Sequence, residues 1–99
     1  MNYTFKFHSD IEKDYSKAYA WYETQKQGLG ERFLLAVRKK LDQINRQPEV
    51  FSSKGNTKYR EAVIDVFPYL IVYKIYKRKQ IIFVSSIHHS KKSPSQKYR

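Results

Sequence analysis

The chain has no cysteine, so neither a structural disulfide nor thiolate chemistry is open to it. Its three glycines, Gly28, Gly30 and Gly55, make no glycine-rich loop of the kind that cradles phosphates. Three histidines, two of them adjacent, and few carboxylates in the second half do not make a ligand set, so no metal and no cofactor is expected. No apolar run approaches the ~18 residues of a membrane span. The opening MNYTFKFHSD lacks the apolar stretch of a signal peptide. A cytoplasmic protein without a membrane partner is expected.

Acidic side chains are also scarce, and unevenly so. Residues 1–50 carry nine basic and seven acidic side chains, whereas residues 51–99 carry eleven basic and only two acidic, Glu61 and Asp65. The halves therefore stand at +2 and +9 of the formal +11. A field this lopsided attracts polyanions, whether nucleic acid, acidic lipid or an acidic protein. The alternative is a merely solubilising surface.

What is present suits one small domain over residues 1–99. The chain is 40% hydrophobic and 16% aromatic, so it can bury a core rich in Tyr and Phe. Residues 2–7 alternate, with Tyr3, Phe5 and Phe7 on one face, and predict a half-buried strand. Ser9 with Glu12 predicts a capping box, followed by a helix with Ile11, Tyr15, Ala18 and Tyr22 in one stripe. Trp21 lies off that stripe, free to face a second helix or a partner. Gly28 and Gly30 break the pattern. A second helix runs from Leu29 to Gln47, with Phe33, Val37, Leu41 and Ile44 on one face, and Pro48 ends it. So short a connection predicts an antiparallel helical hairpin.

Residues 51–58 read as a polar loop. Three strands are expected after it: Tyr59–Phe67, Tyr69–Tyr76 and Gln80–His88, with Lys77-Arg78-Lys79 at a charged tip. Residues 90–99 form a basic tail that is expected to fray. The order β-α-α-β-β-β predicts an α+β fold, a helical hairpin packed on one face of a small, mostly antiparallel sheet whose other face stays open. Strand one must pair with a later strand, and a place in the middle of the sheet is expected.

The order, the pattern Tyr59-Arg60-Glu61, the run Phe67-Pro68-Tyr69-Leu70-Ile71-Val72-Tyr73 and the ending Ile87-His88-His89-Ser90-Lys91-Lys92-Ser93-Pro94 together resemble the RelE/ParE superfamily, the toxins of bacterial type II toxin–antitoxin pairs. The resemblance spans nearly the whole chain and lies toward the ParE-like members, where the ending I-x-H-x-x-R-x-P is common and Lys91 or Lys92 stands here for arginine. It implies growth inhibition, a link to plasmid stabilisation, and a cognate antitoxin bound as a hetero-oligomer. Two actions occur in the superfamily. ParE-like members act on DNA gyrase, and RelE-like members cleave mRNA on the ribosome.

Cleavage through the 2′-hydroxyl needs a general base, a general acid and cations for the phosphorane charge. His88 falls near the position where several interferases carry their acid or base. With His89 and Arg60 it makes the candidate catalytic set. Lys54, Lys58, Lys77, Arg78, Lys79, Lys91 and Lys92 are the candidates for binding nucleic acid or the target, and Lys97 and Arg99 are read as binding a polyanion or the antitoxin. Interferases usually place an arginine in the strand-three motif, as in R-L-V-Y; this sequence has Leu70 there, which removes a fixed guanidinium fork. Each residue also has a structural reading. Arg60 can pair with Glu31 or a neighbour of Glu61, His88 can cap the sheet through a backbone hydrogen bond, and the Lys77–Lys79 tip can be a solvated turn. Tyr69, Tyr73 and Tyr76 belong to the core or a sheet face, and one facing the open side can stack on a base. A gyrase-directed toxin, a ribosome-dependent endoribonuclease and an antitoxin-binding module with weak or lost toxicity all remain open at this point.

Overall fold

The computed structural model describes residues 3–55 and 57–99, with Gln96 through its backbone alone. Met1, Asn2 and Asn56 lie outside the described residues, so the Asn2 end of the first predicted strand does too. The elements are β1 (Thr4–Phe7), α1 (Ile11–Gln25), α2 (Leu29–Arg46), β2 (Ser52–Ser53), β3 (Tyr59–Val63), β4 (Tyr69–Tyr76), β5 (Ile81–His89) and a 3-10 turn at Pro94–Gln96. They form the α+β arrangement expected from the sequence: two helices on one face of a five-stranded sheet in the order β1-β5-β4-β3-β2. All pairings are antiparallel except β1 with β5, which is parallel.

Alternation along the strands divides the sheet into two faces. Ala62, Ile71, Tyr73, Ile82, Val84 and Ile87 meet Ile11, Ala18, Phe33, Val37 and Ile44 of the helices in one buried core. Within it Phe33 packs edge-on against Phe67 and Tyr69, with ring centroids 5.3 and 5.0 Å apart. Tyr73 is fully buried, and its hydroxyl donates to the Pro48 carbonyl at 2.6 Å, so the core tyrosine is satisfied where α2 has ended. Burial pushes the Tyr73 hydroxyl pKa up.

The helical hairpin turns at Gly28, whose φ of +89° is open to glycine at little cost. Glu23 then caps the second helix from the first, accepting the Gly30 amide at 2.8 Å and the Gly28 amide at 3.3 Å. At Gly30 the helices are in contact through the backbone. A Cβ there would lie 2.9 Å from the Tyr19 carbonyl oxygen and 2.8 Å from Cγ of Glu23.

Four expectations about the helices and strands are corrected, and a fifth, about the tail, follows from the last of them. The Ser9–Glu12 capping box does not form. Asp10 is the N-cap without a side-chain bond, and His8 supplies the acceptors instead, its Nδ1 taking the Asp10 amide and its carbonyl the Ile11 amide, both at 3.0 Å. The strand begun at Tyr59 stops at Val63, because Val66 adopts a left-handed φ of 74° that turns the chain back toward Tyr69. Inside the supposed polar loop, Ser52 and Ser53 add a short edge strand to Glu61 and Arg60. Finally, β1 is not central. It lies at the edge and covers β5 only from Ile81 to Val84.

That last fact decides the fate of the tail. Beyond Val84, β5 runs on to His89 with no strand on that side. Asp14 of α1 takes up the vacant edge: its Oδ2 accepts the Ile87 amide at 3.0 Å and an Arg99 Nη1 donor at 3.0 Å, while Oδ1 accepts Arg99 Nη2 at 3.1 Å. Arg99 also donates to the Ser85 carbonyl at 3.2 Å. The tail is therefore docked, not frayed, and Arg99 is a structural residue.

Two stability predictions follow from these contacts. Asp14→Ala leaves a largely buried guanidinium with the Ser85 carbonyl but no carboxylate, and the Ile87 amide without its acceptor, and should cost roughly 2–4 kcal/mol in urea unfolding. Gly30→Ala forces the helices apart and should cost about 1–3 kcal/mol in the same measurement.

Candidate functional site

The structure distributes the candidate residues over three places. At the C-terminal end of β5 a cavity of ≈ 640 Å³ is lined by Lys13 and Lys17 of α1 and by Tyr69, His88, His89 and Lys92, among others. His88 is buried on the sheet face away from the helices, paired across the ladder with Leu70. Its Nε2 lies 3.3 Å from the Lys92 carbonyl, an acceptor, so that nitrogen carries the proton and is occupied. His89 packs edge-on against Tyr69 at 5.1 Å, and its Nδ1 accepts the Lys91 amide at 3.1 Å. Neutral His89 therefore turns only an Nε2–H donor outward. Lys91 and Lys92 are exposed beside it.

Arg60 does not join this group. It is paired with Tyr73, three residues along β4 from Leu70, which is roughly 10 Å of strand. It also points to the helical face. There its Nη1 donates to the carbonyls of Phe51 at 2.7 Å and Glu49 at 3.1 Å, tying the segment after α2 to the sheet. The pairing with Glu31 or a neighbour of Glu61 weighed from the sequence does not occur. Across the ladder from His88 stand Leu70 and then Val63, so among the described residues no strand cation shares its row, and the cations of its cavity come from α1 and the tail.

The tail occupies the second place, the middle of that open face. Arg99 donates its amide to Ser85 Oγ at 2.7 Å, Ser86 Oγ donates to the Lys97 carbonyl at 2.8 Å, and the Tyr59 hydroxyl donates to the Arg99 carbonyl at 3.0 Å. Buried Glu61 accepts from the Tyr98 hydroxyl and pairs with Lys97 at 3.0 Å and, more loosely, with Lys54 at 3.7 Å. Lys97 and Lys54 are thus paired within the chain. Burial works to raise the Glu61 pKa, but the Tyr98 hydroxyl and the two ammonium groups outweigh it and hold the carboxyl below its ordinary range. For Lys97, burial pulls the pKa down and Glu61 more than restores it, leaving a net rise. This carboxylate cluster was missed from sequence, because Glu61 and the tail are 37 residues apart.

The third place is a notch of ≈ 630 Å³ where β4 runs past the start of β3, lined by Lys58, Lys74, Ile75, Tyr76, Lys77, Arg78 and Lys79 with Arg60 and Glu49 behind. Lys77 pairs with Glu49 at 2.8 Å. No helix is long and apolar enough to cross a membrane, and no group of metal-ligating side chains occurs among the described residues.

The tail clamp carries a pH window. The Glu61 pKa falls on folding, so its stabilisation is complete above its ordinary value of 4.5 and is lost as pH drops through the lower folded value. The Lys97 pKa rises, so its share is complete below 10.5 and is lost as pH climbs through the higher folded value. The protection of the Arg99 amide, the slowing of its exchange relative to that of an unstructured amide at the same pH, should be greatest between these limits and fall on both sides. In Glu61→Gln the acidic loss should disappear.

Comparison with known proteins places this geometry. Residues 5–94 match the family described as the ParE toxin of the type II toxin–antitoxin system, parDE. No curated protein matches the chain in sequence. Among solved structures, the chain is similar to a mutant of the E. coli toxin RelE in complex with an antitoxin RelB peptide, at TM-score 0.70 and 20% identity, covering 93% of this chain and 87% of that one. It is similar to a chain of the chromosomal ParDE system from P. aeruginosa at TM-score 0.64 and 15% identity, covering 88% and 95%. It is also similar to the archaeal RelE–RelB complex from Pyrococcus horikoshii at TM-score 0.56 and 16% identity, covering 94% and 100%. At these identities the structural likeness is one of fold.

Proposed function

This chain belongs to the ParE toxin family of type II toxin–antitoxin systems, and from that membership we propose that it arrests growth by binding DNA gyrase, without cleaving nucleic acid. The observation that carries the reading is the strand row beside His88, where Leu70 and Val63 stand in place of cations, so that among the described residues the cations of its cavity come only from α1 and the tail. Cleavage would build negative charge on the phosphorane there; two apolar strand side chains offer it no stabilisation, and Arg99, the guanidinium lining the cavity, is held by Asp14. Each imidazole also has one nitrogen engaged by the backbone, His88 through Nε2 to the Lys92 carbonyl and His89 through Nδ1 to the Lys91 amide. Arg60 is spent on two backbone carbonyls. A ribosome-dependent endoribonuclease would have to build its cationic clamp from lysines of α1 and the tail, Lys13, Lys17, Lys91 and Lys92.

The proposed setting is the cytoplasm, with a cognate antitoxin bound in a hetero-oligomer. The structural neighbours with RelB support such a partner. An amphipathic antitoxin helix suits the apolar side chains left exposed on the hairpin, Trp21 at 57% and Leu35 at 60% exposure. Its acidic residues would meet the basic half of the chain.

Purified toxin should inhibit gyrase supercoiling while message in a translating extract stays intact. The double variant His88→Asn/His89→Ala should keep growth arrest within about threefold, well short of the roughly 10²–10⁴-fold loss expected on removing a general acid or base. Cleaved message, together with loss of toxicity in that folded variant, would instead establish the nuclease. Normal growth with wild-type toxin would leave only the antitoxin-binding role.

A further inference from the structure

The notch at the β4 tip has no part in the argument above, and its chemistry is specific. Lys58, Lys77, Arg78 and Lys79 stand around it; Ile75 turns to the helical core, and the floor on the open side is the ring of Tyr76, which is 38% exposed. Glu49 is the one carboxylate among the lining residues, and it is engaged by Lys77. Among the described residues no carboxylate pairs with Lys58, Lys74, Arg78 or Lys79, so the notch holds a concentrated and uncompensated positive field.

The floor continues across the open face of the sheet as an alternating row. Tyr59 of β3 is in register with Lys74 of β4, Lys74 with Phe83 of β5, and Phe83 with Lys6 of β1. The Lys74 ammonium lies 5.0 Å from the Tyr59 ring centre, 5.3 Å from that of Phe83 and 6.0 Å from that of Tyr76. Aromatic rings and cations thus alternate from the notch across four strands, with the His8 ring 6.3 Å from Phe83 at the far end.

From this arrangement we infer that the β4-tip notch and the Tyr59–Lys74–Phe83 row bind a single-stranded stretch of nucleic acid. Its phosphates lie along Lys58, Arg78 and Lys79, and an unpaired base stacks on Tyr76. An anionic backbone that bears flat, apolar side groups fits an ionic rim over an aromatic floor. An acidic peptide fits it poorly, because its charges sit at the side-chain ends and would be pressed onto the ring faces, where the quadrupole is negative. A duplex offers the phosphates but keeps its bases stacked inside, leaving the floor unused. The inference concerns the chain alone and holds whether or not gyrase is the target.

The test is fluorescence anisotropy with labelled oligothymidylate, labelled oligouridylate, a duplex of equal length and labelled polyglutamate, using the full chain without gyrase. Both single strands should bind more tightly than the duplex, and polyglutamate weakest. Three or four neutralised phosphates should give a slope of log affinity against log salt of about −2 to −3. Arg78→Glu/Lys79→Glu should weaken every nucleic acid and flatten that slope. Tyr76→Ala should weaken single strands about tenfold and leave the duplex unchanged, with Tyr76→Phe restoring single-strand binding. A preference of thymidylate over uridylate, or the reverse, identifies the natural strand. The inference is overturned if single strands fail to bind at low salt, if polyglutamate binds as tightly, or if Tyr76→Ala leaves single-strand affinity unchanged.

Discussion

Everything about this fold that is unusual for a small sheet comes back to one mismatch of lengths. β1 pairs four residues of β5, and β5 has nine. The remaining edge presents strand amides and carbonyls in a partly buried setting, where an unpaired backbone group costs on the order of 1–3 kcal/mol. Asp14 and Arg99 fill that edge together, the carboxylate taking the Ile87 amide and the guanidinium taking the Ser85 carbonyl. Their bidentate pairing then couples three segments far apart in sequence: the first turn of α1, the last strand and the tail.

The consequence reaches the opposite side of the sheet. Once Arg99 is anchored, Lys97 and Tyr98 are carried over the open face, where Glu61 receives both. The face therefore divides into a covered middle, a histidine end without strand cations, and a cationic, aromatic end at the β4 tip. Two of the basic tail residues serve this division and are unavailable as free charge. The positive field that remains is concentrated at Lys58, Lys74, Arg78 and Lys79 and, on the far side, at Lys13, Lys17 and Lys92.

Much of the fold was legible locally. Leu29–Arg46 was readable within one residue because its apolar stripe and Pro48 act within a few turns. Tyr69–Tyr76 was readable to the residue, and its both-sided apolar pattern agrees with its central place in the sheet. Where two devices competed for the same end, the sequence misled: Ser9 and Glu12 spell a capping box, yet His8 is already held by β1 and reaches the free amides first. The early end of β3 was hidden for another reason. Nothing local announces that Val66, a β-branched residue, will be forced to positive φ to close the turn to Tyr69.

The sequence by itself determined the element order, the family pattern, the charge asymmetry and the loss of the strand-three arginine at Leu70, since each is written in neighbouring residues or in simple sums. It also placed Tyr76 among the tyrosines that could meet a base. Only the tertiary structure decided which of these residues act together. It separated Arg60 from His88 by face and by strand length, withdrew Lys97 and Arg99 into ion pairs, and moved the free cations to the tip. Such choices depend on register and on which edge β1 occupies. Those follow from packing summed over the whole chain, not from any local window.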